Sequence, residues 1–497
     1  MHPAIKTILP MLAFAWAGAG EAATYYVRNG GDDSADGRSP GTAWASLGKV
    51  NSYGFAASDV VLLEEGSRFV GTVTVDWAGT SSARAVLGAY YLDGSTPVRG
   101  YRTERPIIDG EDRLPSSGHY GALVSVRANY VRVENLRVED SEGRAIAVSD
   151  FSNAQVVGCY ISNAYNAGVH ILKAPSALAE NNFVTGAGVG NQEDGVPWGA
   201  AIELVASNDA IVRNNTVSET FGEGINAHTG SQNALIERNT VFGVRAVGIY
   251  LDTAPDATVR RNLIVGTTNS TYWRGATTVG AGIALNNESY HYPVGGGSLS
   301  TSVQARRAKI YANLVTFTST GIAVWGQLPE STFDGMLIFN NTLVDNNTQF
   351  SVMGKPQAGA KFINNVLLSL SSGTQDIGGG TSLKGMVAKN NYFSRGNPGG
   401  DYTSAGNRFT GLSLVKMSGW REISSRTQVS WRDFVLAKDA TAITAGDNEP
   451  RQMADLTNNY DLDHNAASHN MPMDMGGLTF STPAAPRPMA PEALTGT

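Results

Sequence analysis

Three short runs of this chain carry most of the side chains able to do chemistry. AAIELVA (200–206), GEGINAHTG (222–230) and AVGIYLDTA (246–254) each hold an apolar residue, Ile202, Ile225 or Ile249, at the same point. The residue that follows is Glu203, Asn226 or Tyr250, and two further on stand Val205, His228 and Asp252. Glu223 lies just ahead of Ile225. Carboxylates, an imidazole, a phenol and an amide recurring at one place are the parts of a proton-transfer site. In a β-elimination, His228 or Tyr250 would act as base or acid, Asn226 would contact a uronate carboxylate, and Arg274 or Lys173 would supply positive charge. In a hydrolysis, carboxylates drawn from Glu203, Glu223 and Asp252 would flank the glycosidic oxygen. In a calcium-assisted variant the same acids would hold the ion, and the ion would bridge the uronate. Three carboxylates repel an anionic sugar unless calcium or Arg274 offsets them.

These runs belong to a longer series. Aligned on the apolar position, Ile146, Val169, Ile202, Ile225, Ile249, Ile283 and Ile322 form one column. Strand alternation sends the following residue outward, giving Ala147, His170, Glu203, Asn226, Tyr250, Ala284 and Ala323. Two residues on, the column reads Ser149, Leu172, Val205, His228, Asp252, Asn286 and Trp325, with Lys173 at a strand end and Arg144 and Glu223 ahead of the core position. The ionisable groups concentrate on the middle three runs, where a solvated face would scatter them. Insertions fall beside the same columns: 188–200, 269–281 and 288–302 bring Trp198, Tyr272, Trp273, Tyr290, His291 and Tyr292. Such aromatics suit the walls of a groove for an extended polysaccharide. Trp198, Trp273, Trp325 and Asn286 are therefore expected to bind substrate with Asn226, Arg274 and Lys173.

A second series positions the first. ENNFV, RNNTV, ERNTV, RRNLI, YANLV, FNNTL, INNVL and KNNYF place Asn182, Asn215, Asn239, Asn262, Asn313, Asn341, Asn365 and Asn391 in a column at short, occasionally stretched intervals. Two β-branched strand types alternating at that period, with Gly, Asn, Ser and Thr between them, predict stacked coils of a parallel β-helix. At the bends, asparagine both tolerates left-handed backbone and hydrogen-bonds to its own kind in the next coil.

The stretch YYVRNGGDDSADGRSPGTAWASL, the NNTV runs, and GEGI and VGIYLD resemble the right-handed parallel β-helix, pectin-lyase-like superfamily over about residues 24–395. The resemblance implies an all-β, single-stranded right-handed parallel β-helix of about ten coils, with an N-terminal cap and an irregular C-terminal cap. That superfamily holds polysaccharide lyases, glycoside hydrolases, uronate epimerases and non-catalytic members. Paired aspartates followed by Gly-His-Gly are absent here, as is Asp-Pro-His-Asp, which counts against polygalacturonase and alginate epimerase assignments. The expectation is a polysaccharide lyase cleaving a uronate-containing glycan. The alternatives are a hydrolase with a carboxylate pair on the same face, a uronate C5-epimerase, and a non-catalytic carbohydrate-binding β-helix.

Composition agrees. The chain has 497 residues, only 16% charged, with 57 glycines, which suits short strands and tight turns. A net charge of −7 with no basic stripe argues against nucleic acid. Lys6, an apolar run to about Gly18 and small residues ending at Ala23 predict a cleaved signal over 1–23 and a secreted or periplasmic protein. No later segment predicts a membrane span, and a monomer is expected. The one cysteine, Cys159, is expected to be a buried, inert thiol. Residues 24–120 are expected to form the cap and first irregular coils, 121–400 the β-helix, 401–480 the C-terminal cap and 481–497 a disordered Pro/Ala-rich tail. DLDHN (461–465) with His469 has metal-ligand residue types but reads as a solvated loop.

Overall fold

The computed structural model describes residues 22–192, 198–275, 277–288, 305–326, 333–353, 359–378, 383, 385–396, 403–407, 459–460 and 466–467. The segment up to residue 21 expected to be a signal, the aromatics Tyr290, His291 and Tyr292, the DLDHN run and almost all of 401–497 lie outside them. Among the described residues no helix is long and apolar enough to cross a membrane.

Each coil contributes a short strand to each of three long sheets of 15, 12 and 11 strands. Neighbours in these sheets pair in parallel, apart from one hairpin between Ala85–Asp93 and Thr96–Arg99. Strands from Thr24 onward join the same stacks, since Thr24–Val27 pairs with Val60–Glu64, and that strand pairs with Ala85–Asp93. Like residues pile on like. Along the first sheet Val156, Ala179, Val212, Ile236, Val259, Ile310 and Ile338 are register partners from coil to coil, and all are fully buried. This continuous aliphatic column is the main hydrophobic stabilisation of the solenoid. At the N-terminal end the rings of Trp44, Tyr25, Tyr53, Phe55 and Trp77 pack together, with Tyr25 and Trp44 stacked at 5.1 Å and Phe55 and Trp77 tilted at 4.2 Å. They cover the open end of the core.

The asparagine column turns the chain from the first sheet into the second. Asn239 Nδ2 donates to Asn262 Oδ1 at 3.0 Å and to the carbonyl of Val212, and its backbone N–H donates to the same Asn262 oxygen. The pattern runs from Asn182 through Asn391 to Asn407. Every buried amide group at this bend is thereby satisfied. The left-handed residue is not the column asparagine, as the sequence suggested, but the one before it: Asn181, Asn214, Arg238, Arg261, Ala312, Asn340, Asn364 and Asn390 all have φ between 50° and 58°. Column asparagines are held by their hydrogen bonds instead. Cys159 occupies the column's first place; its backbone N–H donates to Asn182 Oδ1, and burial pushes its thiol up to about 11. The thiol is inert at neutral pH.

Candidate active site on the third sheet

The third sheet stacks the runs in the register read from the sequence. Ala147, His170, Glu203, Asn226, Tyr250, Ala284 and Ala323 are successive partners, and so are Val205, His228, Asp252 and Asn286. Both columns point away from the core, yet His170, Glu203, Asn226, His228, Tyr250, Asp252 and Asn286 are all buried.

Glu223 reaches this face through a break in the pleat. Strict alternation would turn it inward, two residues before the core residue Ile225. A Cβ on Gly224 would meet Val241 Cγ1 at 2.7 Å and Gly248 O at 2.5 Å, so position 224 itself faces the core. Ala201 and Ala145 fill the equivalent place in neighbouring coils and lie in the core cluster. Two consecutive inward positions leave Glu223 pointing outward.

Glu203 lies between two imidazoles. Its Oε2 is 2.6 Å from His170 Nδ1 and its Oε1 is 3.1 Å from His228 Nε2. The sequence reading had Asp252 orient His228; the hydrogen-bond geometry gives that place to Glu203, with Thr229 Oγ1 at 2.8 Å on the other ring nitrogen. Burial opposes ionisation of Glu203, but the two imidazoles outweigh it and hold its carboxyl well below the usual range. Burial pushes His170 down, against the pull of Glu203. The result is an ionised Glu203 accepting from a neutral His170, which leaves Nε2 as the basic nitrogen. That Nε2 is buried and has no hydrogen-bond partner.

Glu223 behaves oppositely. Burial, with the charge of Glu203, pushes its carboxyl up to about 8 although Trp198 Nε1 donates to Oε1. Its Oε2 and the Oδ1 of Asn226 are also buried without partners. Trp198 is 42% exposed, and the Arg274 guanidinium lies 5.4 Å from its ring centroid. One coil on, Tyr250 donates to Glu288 Oε1, while Asn286 Nδ2 donates to the phenol oxygen at 3.0 Å and to Glu288 at 3.1 Å. Burial and the charges of Asp252 and Glu288 hold the phenol well above the usual tyrosine range, so it is a proton donor. Asp252 Oδ1 accepts from the Glu288 backbone N–H at 2.8 Å. Trp325 meets the Tyr250 ring at 5.8 Å.

Two expected binders stand differently. Trp273 donates its indole N–H to the Thr267 carbonyl, which pins its own loop. Lys173 is exposed in the turn that leaves the sheet, with φ 47°. Two contributors escaped the sequence reading. His170 stood in the right column but apart from the acids; its place one coil before Glu203 was the available signal. Glu288 sits in an insertion, where no periodicity points to it.

The acids proposed for calcium are not drawn together. Among the described residues the only group of three or more possible ligands at metal-holding separations is Asp109, Glu139 and Asp140 on the second sheet, where Arg68 pairs with both Asp109 and Glu139. Glu203 has both oxygens on histidines instead.

The family model of the right-handed beta helix region matches residues 120–299 and 198–367, the segment that carries this face. The chain is a right-handed parallel β-helix protein. Among solved structures, this β-helix is similar to pectate lyase Pel9A, with a TM-score of 0.52 and 14% identity over 93% of this chain and 98% of that one. It is also similar to the GH136 lacto-N-biosidase from Eubacterium ramulus, with a TM-score of 0.50 and 14% identity over 78% of this chain and 68% of the other. At such identity the β-helix fold is what is shared. No curated protein sequence matches the chain significantly.

Proposed function

We propose that this β-helix is a secreted polysaccharide lyase that cleaves a uronate-containing glycan by β-elimination. The observation that carries the proposal is the buried His170–Glu203–His228 bridge with His170 Nε2 unpartnered. A carboxylate on Nδ1 fixes the tautomer and leaves the buried, unpartnered Nε2 to act as a general base. It takes the proton next to the sugar carboxylate; the C–O bond to the leaving sugar breaks, and a carbon–carbon double bond forms. In a syn elimination the same imidazole can hand the proton to the leaving oxygen. His228 holds Glu203 from the other side and is a positioning residue. Asn226, neutral Glu223 and Tyr250 continue along the face over the next two coils, one strand spacing of about 5 Å apart, as uncharged partners for further sugars. Burial raises the Glu223 carboxyl to about 8 and so favours its neutral form at neutral pH, which makes the face less repulsive to an anionic chain than its residue types suggest.

Glycoside hydrolysis is the alternative favoured by one observation, the protonated Glu223, which suits a general acid. Glu203 is a poor second carboxylate for it, since both of its oxygens are bonded to imidazoles. Incubation with acidic and neutral polysaccharides separates the two. Elimination creates a conjugated unsaturated uronate with ultraviolet absorbance; new reducing ends without that absorbance mean hydrolysis.

A further inference from the structure

The turns that lead from the second sheet to the third enclose a cavity of about 240 Å³, built by three successive coils. Trp273, Thr277, Thr278 and Val279 line it from the insertion ahead of the strand Ala281–Asn286, Phe317 from the next turn, and Asp345 and Asn347 from the turn after that. Trp273 and Val279 are cross-strand partners in a small antiparallel hairpin, so both turn to the side that lines the cavity. Arg274, one residue on, turns to the other side, over the Trp198 ring whose indole N–H is bonded to Glu223. The hairpin is therefore a wall with the candidate active site on one side and the cavity on the other.

The lining is fixed in place. Trp273 is partly exposed, and its indole N–H donates to the Thr267 carbonyl at 2.8 Å, which sets the direction of the ring. Asp345 is 7% exposed; its Oδ1 accepts from the backbone N–H groups of Leu370 and Ser371 at 2.8 and 2.6 Å, and its Oδ2 accepts from the Ser371 hydroxyl. An acceptor site on Oδ2 is left over. Asn347 adds an exposed amide, and its backbone is anchored by an N–H donated to the Thr318 carbonyl at 3.0 Å. None of the lining residues carries a positive charge.

We propose that this cavity is a pocket for a single neutral sugar ring, separate from the candidate active site. The Trp273 ring stacks on the apolar face of the sugar, while Asp345 Oδ2 and the Asn347 amide take its hydroxyls. Drug-sized ligands fill roughly 300–1,000 Å³, so the cavity suits one ring and not a chain. A hydroxyl can donate to the Asp345 carboxylate, whereas a uronate would set a second carboxylate against it with no cation between them. The pocket thus takes an uncharged unit or branch of a glycan. Its ligand class rests on its own lining and not on the lyase proposal.

The test titrates the full-length protein by calorimetry and ligand-observed NMR with a panel of neutral hexoses, pentoses and deoxyhexoses, and with glucuronate and galacturonate as charged counterparts. At least one neutral sugar should bind, and the uronates should bind about tenfold more weakly or worse. Asn347→Ala, at an exposed position, should weaken the neutral sugar about tenfold. Asp345→Asn should erase the preference for neutral over charged sugars, which a merely structural role for Asp345 would not do. No binding of any neutral sugar, equal binding of uronates, or binding unaffected by both substitutions overturns the pocket. If the protein makes no unsaturated product from polyuronates but Asn347→Ala still loses the neutral sugar, the pocket stands and the lyase proposal falls.

Discussion

Glu203 Oε2 lies 2.6 Å from His170 Nδ1, both side chains buried on adjacent strands of one sheet and pointing away from the core. The pair is held from the far side by His228, so neither group can rotate without breaking a buried charge-assisted hydrogen bond. An imidazole fixed in this way leaves a single ring nitrogen, the buried Nε2, without a partner.

Replacing His170 by Ala should therefore lower kcat by about a hundredfold or more, as loss of a general base does. His228→Ala should cost less and act mainly by shifting the pH profile, because it works through Glu203. Steady-state kinetics on both variants, with circular dichroism to confirm folding, separates the roles. Equal losses would place both rings against the substrate.

Glu223 makes stability fall with pH. Its carboxyl is raised from 4.5 to about 8 on folding, chiefly by burial. Between these values the unfolded chain has lost a proton that the folded chain keeps, so stability declines as pH rises through that window and levels off above about 8. Glu223→Gln cannot ionise. Its melting temperature relative to wild type should climb from pH 5 to pH 8, a window set by the same shift. A constant difference across the window would contradict the assignment.

Asn262 tests the ladder. Its side chain accepts from the backbone and side-chain N–H of Asn239 and donates to Asn313 Oδ1 and to the Ile236 carbonyl. Asn262→Ala strands several of these buried groups at once and should lower stability by about 3 kcal/mol or more in urea unfolding. Asn262→Asp should not rescue it, since the Ile236 carbonyl needs a donor.

Gly224→Ala should cost about 1–3 kcal/mol, because the added methyl runs into Val241 and the Gly248 carbonyl. It should also reduce activity by displacing Glu223, which follows the backbone at that step. An unchanged melting temperature would mean that the pleat is not broken there.

The repeat made the fold legible. Isoleucine and asparagine recur at coil spacing, and a one-residue slip would throw each apolar column into water, so the register of Glu203, Asn226 and Tyr250 followed from Ile202, Ile225 and Ile249. What the columns could not show was which side chains lean together. His228 has Val205 before it and Asp252 after it in register, with Glu203 on the diagonal; side-chain packing across the coils, not periodicity, brings it to Glu203. Glu288 and Thr229 were hidden for a related reason, since an insertion and a strand end carry no alternating pattern. The backbone step at Gly224 was visible as a glycine ahead of five of the seven core residues, in Gly168, Gly224, Gly248, Gly282 and Gly321, with Ala145 and Ala201 at the other two, but its meaning needed the contacts of the missing Cβ.

The most direct test of the central claim follows the ultraviolet absorbance of the purified protein acting on a panel of polyuronates, with wild type and His170→Ala compared side by side. The account predicts a steady rise from the unsaturated uronate with wild type, at least about a hundredfold slower with His170→Ala. New reducing ends with no rise in absorbance, or a His170→Ala variant as fast as wild type, would contradict it.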